Sequence, residues 1–509
     1  MTTRQTRLLK SFTFTLWIVI SLALYALYNV TLQSNKLPAA WFNVTGEINR
    51  VSQLTSGQRN QEDVMQKYQE ELPNVPFEFW TRIKNSRFNA TCAHAPELSN
   101  LRFHNDYWQV FHNRNVSYHI FNAYYDTREH ITQPSSVVRI LVMMNQPIEP
   151  KNPIHCQLWY DDKNTTVLAP VMEHRLIWIR EWGTSGHFYP YLLTCVVPLQ
   201  LREGPAPQAV SLVVDECATA TNLVRIYNER PSGNATKQRF AVCVKGLDYP
   251  YADLGPRLVE WLEMQRLLGA SKVITYRLSV HPNLEQVLQH YIEEGFLEVH
   301  PLSLGSEMVT KPLYLHEYLR ASVPNKRLNE IVPYNDCFYR NMYKYSYIVT
   351  IDIDEVIMPL GNITTWTQLI NETSRVRSEG CKYGYGSLCV RNVHFPINGL
   401  NYTETPKAPR HMFMLQHVHR DVPEAPGLGA KCFQNTSDVL MLHNHYNLDT
   451  LKTCRWHNLP PDVAYLQHYR LLRKPEEWKT QILDESIYRY KDALIATVEP
   501  VLKKLGYLN

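Results

Sequence analysis

The sequence predicts an α/β protein: a doubly wound, mostly parallel sheet, preceded by a smaller β-rich, sandwich-like domain and by an N-terminal transmembrane helix. Three patterns in the 509 residues support this prediction. Strands and helices alternate from residue 239 onward, short β-branched strands fill 86–238, and an uncharged apolar stretch lies near the N-terminus. We therefore divide the chain into 1–11, 12–28, 29–85, 86–238 and 239–509.

The apolar stretch runs from Phe12 to Tyr28 without a charged residue. As a helix it would be about 26 Å long, which is enough for a thin bilayer. Arg4, Arg7 and Lys10 precede it, and the positive-inside rule then places residues 1–11 in the cytosol. We predict a signal anchor and a luminal stem at 29–85, in a single-pass type II protein of the Golgi membrane. A cleaved signal peptide is the alternative.

Cysteines and glycosylation sequons agree with a luminal body. The chain has 10 cysteines, all after the apolar stretch, and an oxidising compartment would let them form disulfides. Cys381 with Cys389, and Cys432 with Cys454, are the plausible local pairs. The net charge of +4 gives no reason to expect a nucleic-acid partner. The Asn-x-Ser/Thr sequons are at Asn29, Asn43, Asn89, Asn115, Asn164, Asn234, Asn362, Asn371, Asn401 and Asn435.

The region 86–238 has the pattern of an antiparallel, sandwich-like domain. Its short β-branched and aromatic runs are separated by turn residues, and we find no catalytic constellation among them. Its aromatic side chains are interpreted as core. The predicted strands are Val137–Met143, Gln157–Tyr160, Arg175–Ile179, Tyr191–Val197 and Val210–Val214.

From residue 239 the pattern changes to strand–helix alternation, which predicts a parallel sheet. Asp253 and Asn283 are predicted N-caps, and Gly269 and Gly295 are predicted helix ends. Ligands of such sheets bind outside the carboxyl ends of the strands. The predicted strands are Phe240–Lys245, Lys272–Arg277 and Phe296–Leu302, and the predicted helices are Leu254–Leu268, Asn283–Ile292 and Tyr334–Tyr343.

The run Tyr347–Pro359 is the most informative part of the chain. It is apolar and β-branched, as in a buried strand, and it is interrupted by Asp352 and Asp354. Side chains two apart on a strand point to one side, so the two carboxylates should lie together and Glu355 should face the other way, in a structural role. Paired acids at a strand end predict a Mn²⁺ or Mg²⁺ ion that holds a diphosphate. A solvated strand end is the alternative.

Further motifs lie on both sides of this run: Cys243-Val-Lys245, Leu258-x-x-Trp261, Leu268-Gly269-Ala270, Asn335-Asp336-Cys337, Asp352-Ile-Asp354-Glu355 and His468-Tyr469-Arg470. Together they resemble glycosyltransferase family 92, over roughly residues 239–475. The resemblance implies a GT-A-like fold and a metal-dependent, inverting enzyme that uses UDP-sugars. Characterised members transfer galactose, in animals including β1,4-galactose onto a fucose of N-glycan cores. We therefore expect UDP-galactose as donor and a glycan or glycoprotein as acceptor.

The resemblance guides the assignment of metal ligands. We expect Asp354 to bind the cation directly, and Asp352 to act through a water or to hold the ribose. A later histidine often completes such a site. His443 and His445 follow the strand-like run Val439–Leu442 at i, i+2 spacing. The alternative is that both are ordinary hydrogen-bonding histidines.

Four other residues are candidates for donor binding. Lys245 ends a predicted strand and could contact the nucleotide, and Arg470 could pair with phosphate. Asp336 could orient the donor sugar or ribose, with a buried helix cap as the alternative. His468 is a further donor-site candidate, for which a structural role is equally open.

The catalytic base is the least determined part of the site. An inverting transfer needs a group that accepts the proton of the acceptor hydroxyl. Asp421, Glu424 and Asp462 are the candidate carboxylates. The Pro/Gly-rich stretch Arg420–Gly429 is a predicted mobile lid.

Two other functions remain open on the sequence alone. A membrane-anchored glycan-binding protein without catalysis would need no diphosphate-binding acids, so the Asp352/Asp354 pair favours the enzyme. A phosphohydrolase with Asp352 as nucleophile is disfavoured. Such an enzyme would have the motif Asp-x-Asp-x-[Thr/Val], and here Glu355 directly follows Asp354 without an evident continuation of that motif.

Overall fold

A computed structural model gives the fold of the residues from Tyr68 to Asn509, which form one compact unit. The predicted anchor and all but the last part of the predicted stem lie outside the described residues. Among the described residues, no helix is both long and apolar enough to cross a bilayer. The boundaries predicted between the stem, the β-rich region and the α/β region stay predictions. The structure describes residues 66–79, 82, 93 and 95–509, with gaps at 130–135, 164–165, 184, 232–235, 374–380, 382–383, 399–404, 452–453, 476–477 and 479–480.

The first sheet comprises the strands before residue 228. Its order is β1-β2-β3-β4-β7-β6-β5-β8-β9, and β9 also pairs with β3. The long strand β4 is buried at every position, as expected for the middle of a core. The strands are β1 (Phe103–Asn105), β2 (Trp108–Asn113), β3 (Val116–Asp126), β4 (Val137–Met144), β5 (His155–Trp159), β6 (Val167–Leu176), β7 (Tyr189–Val196), β8 (Ala209–Val213) and β9 (Val224–Tyr227).

The predicted sandwich is in fact a sheet that closes on itself. Strand β6 pairs with β5 through its first residues and with β7 through its last ones. Strand β9 pairs with β8 at Val224 and Arg225, and with β3 at Ile226 and Tyr227. The hydrogen-bonded circuit therefore leads from β3 back to β3, whereas a sandwich keeps two separate layers. Local alternation predicts strands but carries no information on this closure.

The second sheet makes the protein a mixed α/β structure, as predicted at that level. Its order is β12-β11-β10-β13-β17-β15-β21-β14, with β20 beside β15. Strands β12, β11, β10 and β13 are parallel, while β17 and β14 run against their neighbours. The strands after residue 237 are β10 (Gln238–Tyr249), β11 (Lys272–Val280), β12 (Leu297–Pro301), β13 (Tyr345–Thr350), β14 (Glu355–Pro359), β15 (Ser387–Pro396), β16 (His419–Arg420), β17 (Lys431–Asn435), β18 (Val439–Leu442), β19 (Asn447–Thr450), β20 (Trp456–Asn458), β21 (Ala464–Arg470) and β22 (Ile482–Leu483).

The helices of this region largely match the predicted ones, with different caps. Gly269 ends α1 with a φ of 109°, a left-handed conformation that favours glycine. Residue Leu254, not Asp253, is the N-cap of α1, and His281, not Asn283, caps α2 through its ring nitrogen. The helices are α1 (Gly255–Leu268), α2 (Pro282–Glu293), α3 (Pro312–Ala321), α4 (Val323–Asn341), α5 (Trp366–Thr373), α6 (Phe413–Gln416) and α7 (Lys491–Lys504).

Helix α4 lies between the two sheets. Its buried side chains share one hydrophobic core with the first sheet and with the hairpin β18–β19, while α1, α2 and α7 pack on the other face of the second sheet. The sequence predicts only its second half, from Tyr334. In the structure Pro333 lies inside the helix.

The local disulfide pairs predicted from spacing are wrong. Disulfide bonds between two described cysteines join Cys156–Cys195, Cys243–Cys337, Cys381–Cys454 and Cys389–Cys432. Strands β15 and β17 are neighbours and place Cys389 opposite Cys432, which the spacing along the chain does not show. Among the described residues no cysteine is free.

Candidate functional site

The two acids of the Asp-x-Asp motif lie in a turn between two strands, not on one strand. Strand β13 ends at Thr350 and β14 begins at Glu355. The turn is closed by the Glu355 amide, which donates to the Asp352 carbonyl over 3.0 Å, and by the Asp352 amide, which donates to Glu355 Oε2 over 2.8 Å. The alternation argument therefore fails here, and the two carboxylates have different surroundings.

Asp352 is the centre of a buried cluster. Lys245 Nζ lies 3.3 Å from its Oδ1, and Lys431 Nζ lies 3.2 Å from its Oδ2. The Tyr334 hydroxyl donates to Oδ1 over 3.0 Å. Lys245 comes from the carboxyl half of β10, and Lys431 begins β17, so the parallel strand β10 and the antiparallel strand β17 bring the two cations to the end of β13 from either side.

Two more acids complete this cluster. Lys431 Nζ lies 3.2 Å from Glu355 Oε2, and Lys245 Nζ lies 3.2 Å from Glu330 Oε1. Glu355, predicted to face away from Asp352, shares Lys431 with it because the turn breaks the strand. Three carboxylates and two ammonium groups leave one negative charge in a largely enclosed space.

The electrostatics of the cluster fix the charge of Asp352. Burial alone would raise the pKa of this carboxyl, but Lys245 and Lys431 hold the pKa well below its usual value. Burial raises the pKa of Glu355, which Lys431 only partly opposes. Burial lowers the pKa of the lysine ammonium groups, and the neighbouring acids outweigh it for both. Asp352 is therefore an ionised carboxylate whose two oxygens are already in use.

Asp354 faces the solvent. Its side chain is 48% exposed, against 17% for Asp352. His468 Nε2 lies 3.6 Å from Asp354 Oδ2, and His468 Nδ1 lies 3.7 Å from Glu355 Oε1. The pairing of β14 with β21 places His468 directly opposite Glu355. Burial lowers the pKa of His468, but Asp354 and Glu355 together raise it above its usual value.

A second histidine, His394, was not predicted from the sequence and lies next to His468. Asp354, His468 and His394 therefore form a row of side chains. Strand β15 places His394 beside His468, with ring centroids 5.4 Å apart. Its Nε2 lies 2.8 Å from Asn392 Nδ2, and its Nδ1 lies 3.7 Å from Glu424 Oε1. Burial lowers the pKa of His394 to about 4, so the ring is neutral near pH 7. A signal for His394 would have required the register of β15 against β21.

Two of the three candidate bases lie on this row. The Asp421 amide donates to the His394 carbonyl, and the Glu424 amide donates to the Asn392 carbonyl. The Asp421 carboxylate accepts a hydrogen bond of 2.9 Å from Trp478 Nε1, and burial raises its pKa. Asp462 is exposed in the turn before β21, at the opposite end of that strand from His468, and is not brought to the site.

His443 and His445 lie beside the buried cluster. The strand Val439–Leu442 before them is confirmed, and Asn444 between them accepts a hydrogen bond of 2.6 Å from Lys431 Nζ. Burial lowers the pKa of both histidines to about 3, and Lys431 contributes in the same direction. Their Nδ1 atoms are buried and have no hydrogen-bond partner among the described residues.

Asp336 and Arg470, two of the predicted donor-binding residues, contact groups other than the cluster around Asp352. Asp336 is fully buried between the two sheets, where Arg340 Nε contacts it at 2.7 Å and the hydroxyls of Tyr124 and Tyr276 donate to it. It lies two residues after Tyr334 on α4 and so points away from Asp352. Arg470 ends β21 and lies 3.3 Å from His394 Nε2.

A divalent cation at this site would need several oxygen or nitrogen ligands. Among the described residues, no group of three or more His, Cys, Asp or Glu side chains is placed to hold a metal ion. Asp354 and His468 are nevertheless a carboxylate and an imidazole side by side at the surface, which suit Mn²⁺. This pair would suit a cation that takes further ligands from elsewhere, while both oxygens of Asp352 contact lysine ammonium groups.

Of two cavities in the structure, one lies next to the buried cluster around Asp352 and the other does not. One of about 110 Å³ opens beside Lys245 at the carboxyl ends of β10 and β11, and Glu330, Asp248 and Lys326 line it. Asp248 Oδ1 is buried there without a partner among the described residues. A larger cavity of about 940 Å³ lies against the first sheet and contains none of the residues of the acidic turn.

Comparison with known proteins identifies a family. The model of glycosyltransferase family 92 matches residues 238–498, just over half of the chain and all of the second sheet. This confirms the resemblance found in the motifs and extends it beyond residue 475. No curated protein matches the chain.

Proposed function

This chain belongs to glycosyltransferase family 92, and from that premise we propose that it transfers galactose from UDP-galactose to a glycan, with Mn²⁺ or Mg²⁺ held at Asp354. Membership implies a sugar donor and a glycan acceptor in general. Galactose, and the fucose of an N-glycan core as the β1,4 acceptor, rest on what the motif resemblance implies.

The different surroundings of Asp352 and Asp354 are the main support for the proposal. Asp352 is neutralised by Lys245 and Lys431, so it fixes the turn and leaves Asp354 beside His468 at the surface. A cation bound between this pair and the diphosphate would offset the negative charge that develops on the leaving UDP. The chain itself supplies the rigid turn that keeps Asp354 in place.

The nucleotide would lie along the carboxyl ends of β10 and β11, where open α/β sheets bind their ligands. The cavity beside Lys245 is there, adjacent to the acidic turn. Asp248 Oδ1, for which the described part of the chain supplies no partner, could accept a hydrogen bond from the N–H group of a uracil ring.

Inversion requires the acceptor oxygen to attack the anomeric carbon as the bond to the phosphate oxygen breaks. The proton of the acceptor hydroxyl then passes to a base. We assign this role to Glu424, which is 41% exposed and lies beside His394 on the row that begins at Asp354. Asp421, whose Oδ1 accepts a hydrogen bond from Trp478 Nε1, would position the 420–429 segment.

We also propose the Golgi lumen as the compartment. The apolar stretch at 12–28, the sequons and the disulfides among the described residues support it, because disulfides persist in the secretory pathway.

The full-length chain, purified in detergent, should be mixed with Mn²⁺ and each of a panel of UDP-sugars, and UDP release should be followed. We expect release from UDP-galactose, stimulated by a core-fucosylated N-glycan and abolished by a chelator. Release from another UDP-sugar would change the donor. Absence of both release and Mn²⁺-dependent UDP binding would overturn the proposal.

A further inference from the structure

A cluster of aromatic rings, here called the aromatic wall, lies beside the acidic turn. It consists of Trp178, Trp182, His443, Tyr446 and Trp456. Ring centroids lie 5.2 Å apart for Trp178 and Trp182, 4.4 Å for Trp182 and His443, and 5.1 Å for Tyr446 and Trp456. The first two residues follow β6 of the first sheet, and the others come from the segments around β19. The wall is therefore built jointly by both halves of the unit.

The wall rests on a rigid support. The hairpin β18–β19 is bonded to α4, where Asn335 exchanges two hydrogen bonds with Leu442 and the Tyr339 hydroxyl donates to the Leu440 carbonyl. Arg175 of β6 forms an ion pair with Asp449 of β19. These contacts fix the first sheet against the hairpin and so fix the rings relative to each other.

The outer rings of the wall are open to solvent. Trp182 is 39% exposed and Trp456 is 36% exposed, whereas Trp178 is only 8% exposed and donates its Nε1 hydrogen to the Gly183 carbonyl. Large exposed aromatic rings on a rigid base, grouped together, mark a binding surface more often than scattered ones do.

The wall is linked to the acidic turn by a chain of polar contacts. Asn444 follows His443 and bonds Lys431, which in turn contacts Asp352. The buried Nδ1 atoms of His443 and His445 have no hydrogen-bond partner among the described residues. Because an unpaired buried nitrogen is costly, each of these atoms needs a polar partner, which an ordered water can supply.

We infer that the aromatic wall binds sugar rings of the glycan acceptor, with Trp182 and Trp456 stacked on their apolar faces. The inference rests on the proposed function and names the acceptor side of the same site. A pyranose ring has a face of C–H groups, which packs on an aromatic ring, and hydroxyl groups at its edge, which hydrogen-bond imidazole.

This inference gives the first sheet a share in acceptor recognition. Trp178 and Trp182 lie outside the matched segment 238–498, so the family match alone cannot report on them. The reaction at the anomeric carbon would use the second sheet, while the choice of acceptor would depend on both.

The test separates acceptor binding from donor binding. Full-length wild type, Trp182→Ala and Trp456→Ala should be compared with Tyr314→Ala, a variant of a 45% exposed tyrosine on α3. Direct binding is read on an array of N-glycan oligosaccharides, and UDP binding is read by calorimetry with Mn²⁺. We expect both tryptophan variants to lose about 10-fold or more in glycan affinity and to bind UDP as wild type does. Trp182→Tyr should recover most of the affinity.

Several results would overturn the inference. Unchanged glycan affinity in both tryptophan variants would do so, as would a wild type that binds no oligosaccharide on the array. An equal loss of UDP binding in Trp182→Ala would assign the wall a role in the stability of the donor site instead. If the wild type binds glycans but neither UDP nor Mn²⁺, the proposed transfer fails while the aromatic wall stands.

Discussion

Asp352 and Asp354 are two residues apart, yet they belong to two different regions of the site. The buried side of the turn joins Asp352 and Glu355 to Lys245 and Lys431, and each charge there has a partner. On the open side Asp354 is half exposed and lies beside His468. The comparison teaches that one short motif can combine a structural acid with an acid available to a ligand, and that burial decides which is which.

The largest effect is expected on the open side. Asp354→Asn should lower transfer by about 10²–10³-fold, because the amide removes the charge that binds the cation. The free energy of unfolding should stay near the wild-type value, since the side chain is half exposed. Transfer assays with Mn²⁺ and urea unfolding measure the two quantities. Asp162→Asn, at an acid of 45% exposure in the turn between β5 and β6, is the matched control.

The buried side should respond in stability. Lys431→Met leaves Asp352 and Glu355 buried without their shared cation, and we expect a loss of about 3–5 kcal/mol in the free energy of unfolding. Lys344→Met, which breaks a surface pair with Glu229 at 3.0 Å, should cost at most about 1 kcal/mol. Similar losses in the two variants would mean that the buried side does not support the turn.

The proposed base gives a third test of the open side. Glu424→Gln should lower turnover by about 10²-fold and leave UDP binding unchanged, because the amide cannot accept the acceptor proton. Asp462→Asn should have no effect, since Asp462 lies at the far end of β21. If Asp421→Asn lowers turnover while Glu424→Gln does not, the assignment of the base is reversed.

The smallest effect concerns pH and again the buried side. The pKa of His443 and of His445 is lowered to about 3, from a value near 6.5 in the unfolded chain. Their neutral forms stabilise the fold above pH 6.5, and this contribution is lost as pH falls from 6.5 toward 3. Each should add up to about 1.4 kcal/mol per pH unit to the slope of the unfolding free energy there.

Replacement of these histidines should flatten that slope. Urea unfolding between pH 7 and 5 would compare wild type with His443→Asn and His445→Asn, and with His112→Asn at an exposed position. If both variants keep the wild-type slope of unfolding free energy against pH, the two rings take up protons as readily in the folded protein as in the unfolded chain. That result would contradict the lowered pKa of both histidines.

Much of the second sheet was predictable because its signals are local. Helix α1 ends at Gly269 as predicted, and β18 has the predicted bounds. The first half of α4 was not predicted, and Pro333 is tolerated inside this buried helix. The closure of the first sheet depends on pairing between β3 and β9, residues about a hundred positions apart, and no local pattern records it.

Several residues of the site could be predicted from the sequence, but their arrangement in space could not. Asp352, Asp354, Lys245 and His468 were named from the sequence and come together. Lys431 and His394 were not named, because their proximity depends on the strand order around β15 and on the register with β21. The same lack of register information produced the wrong cysteine pairs.

The network around Asp336 affects how the gene could be shortened for expression. Its carboxylate receives hydrogen bonds from Asn122 and Tyr124, which precede the matched segment, and from Tyr276 and Arg340, which lie within it. A fragment cloned at residue 238 would leave this acid with half of its donors missing and would expose the apolar side of α4. The limits of the family match are therefore not limits at which the chain can be cut, and a usable fragment has to keep the first sheet.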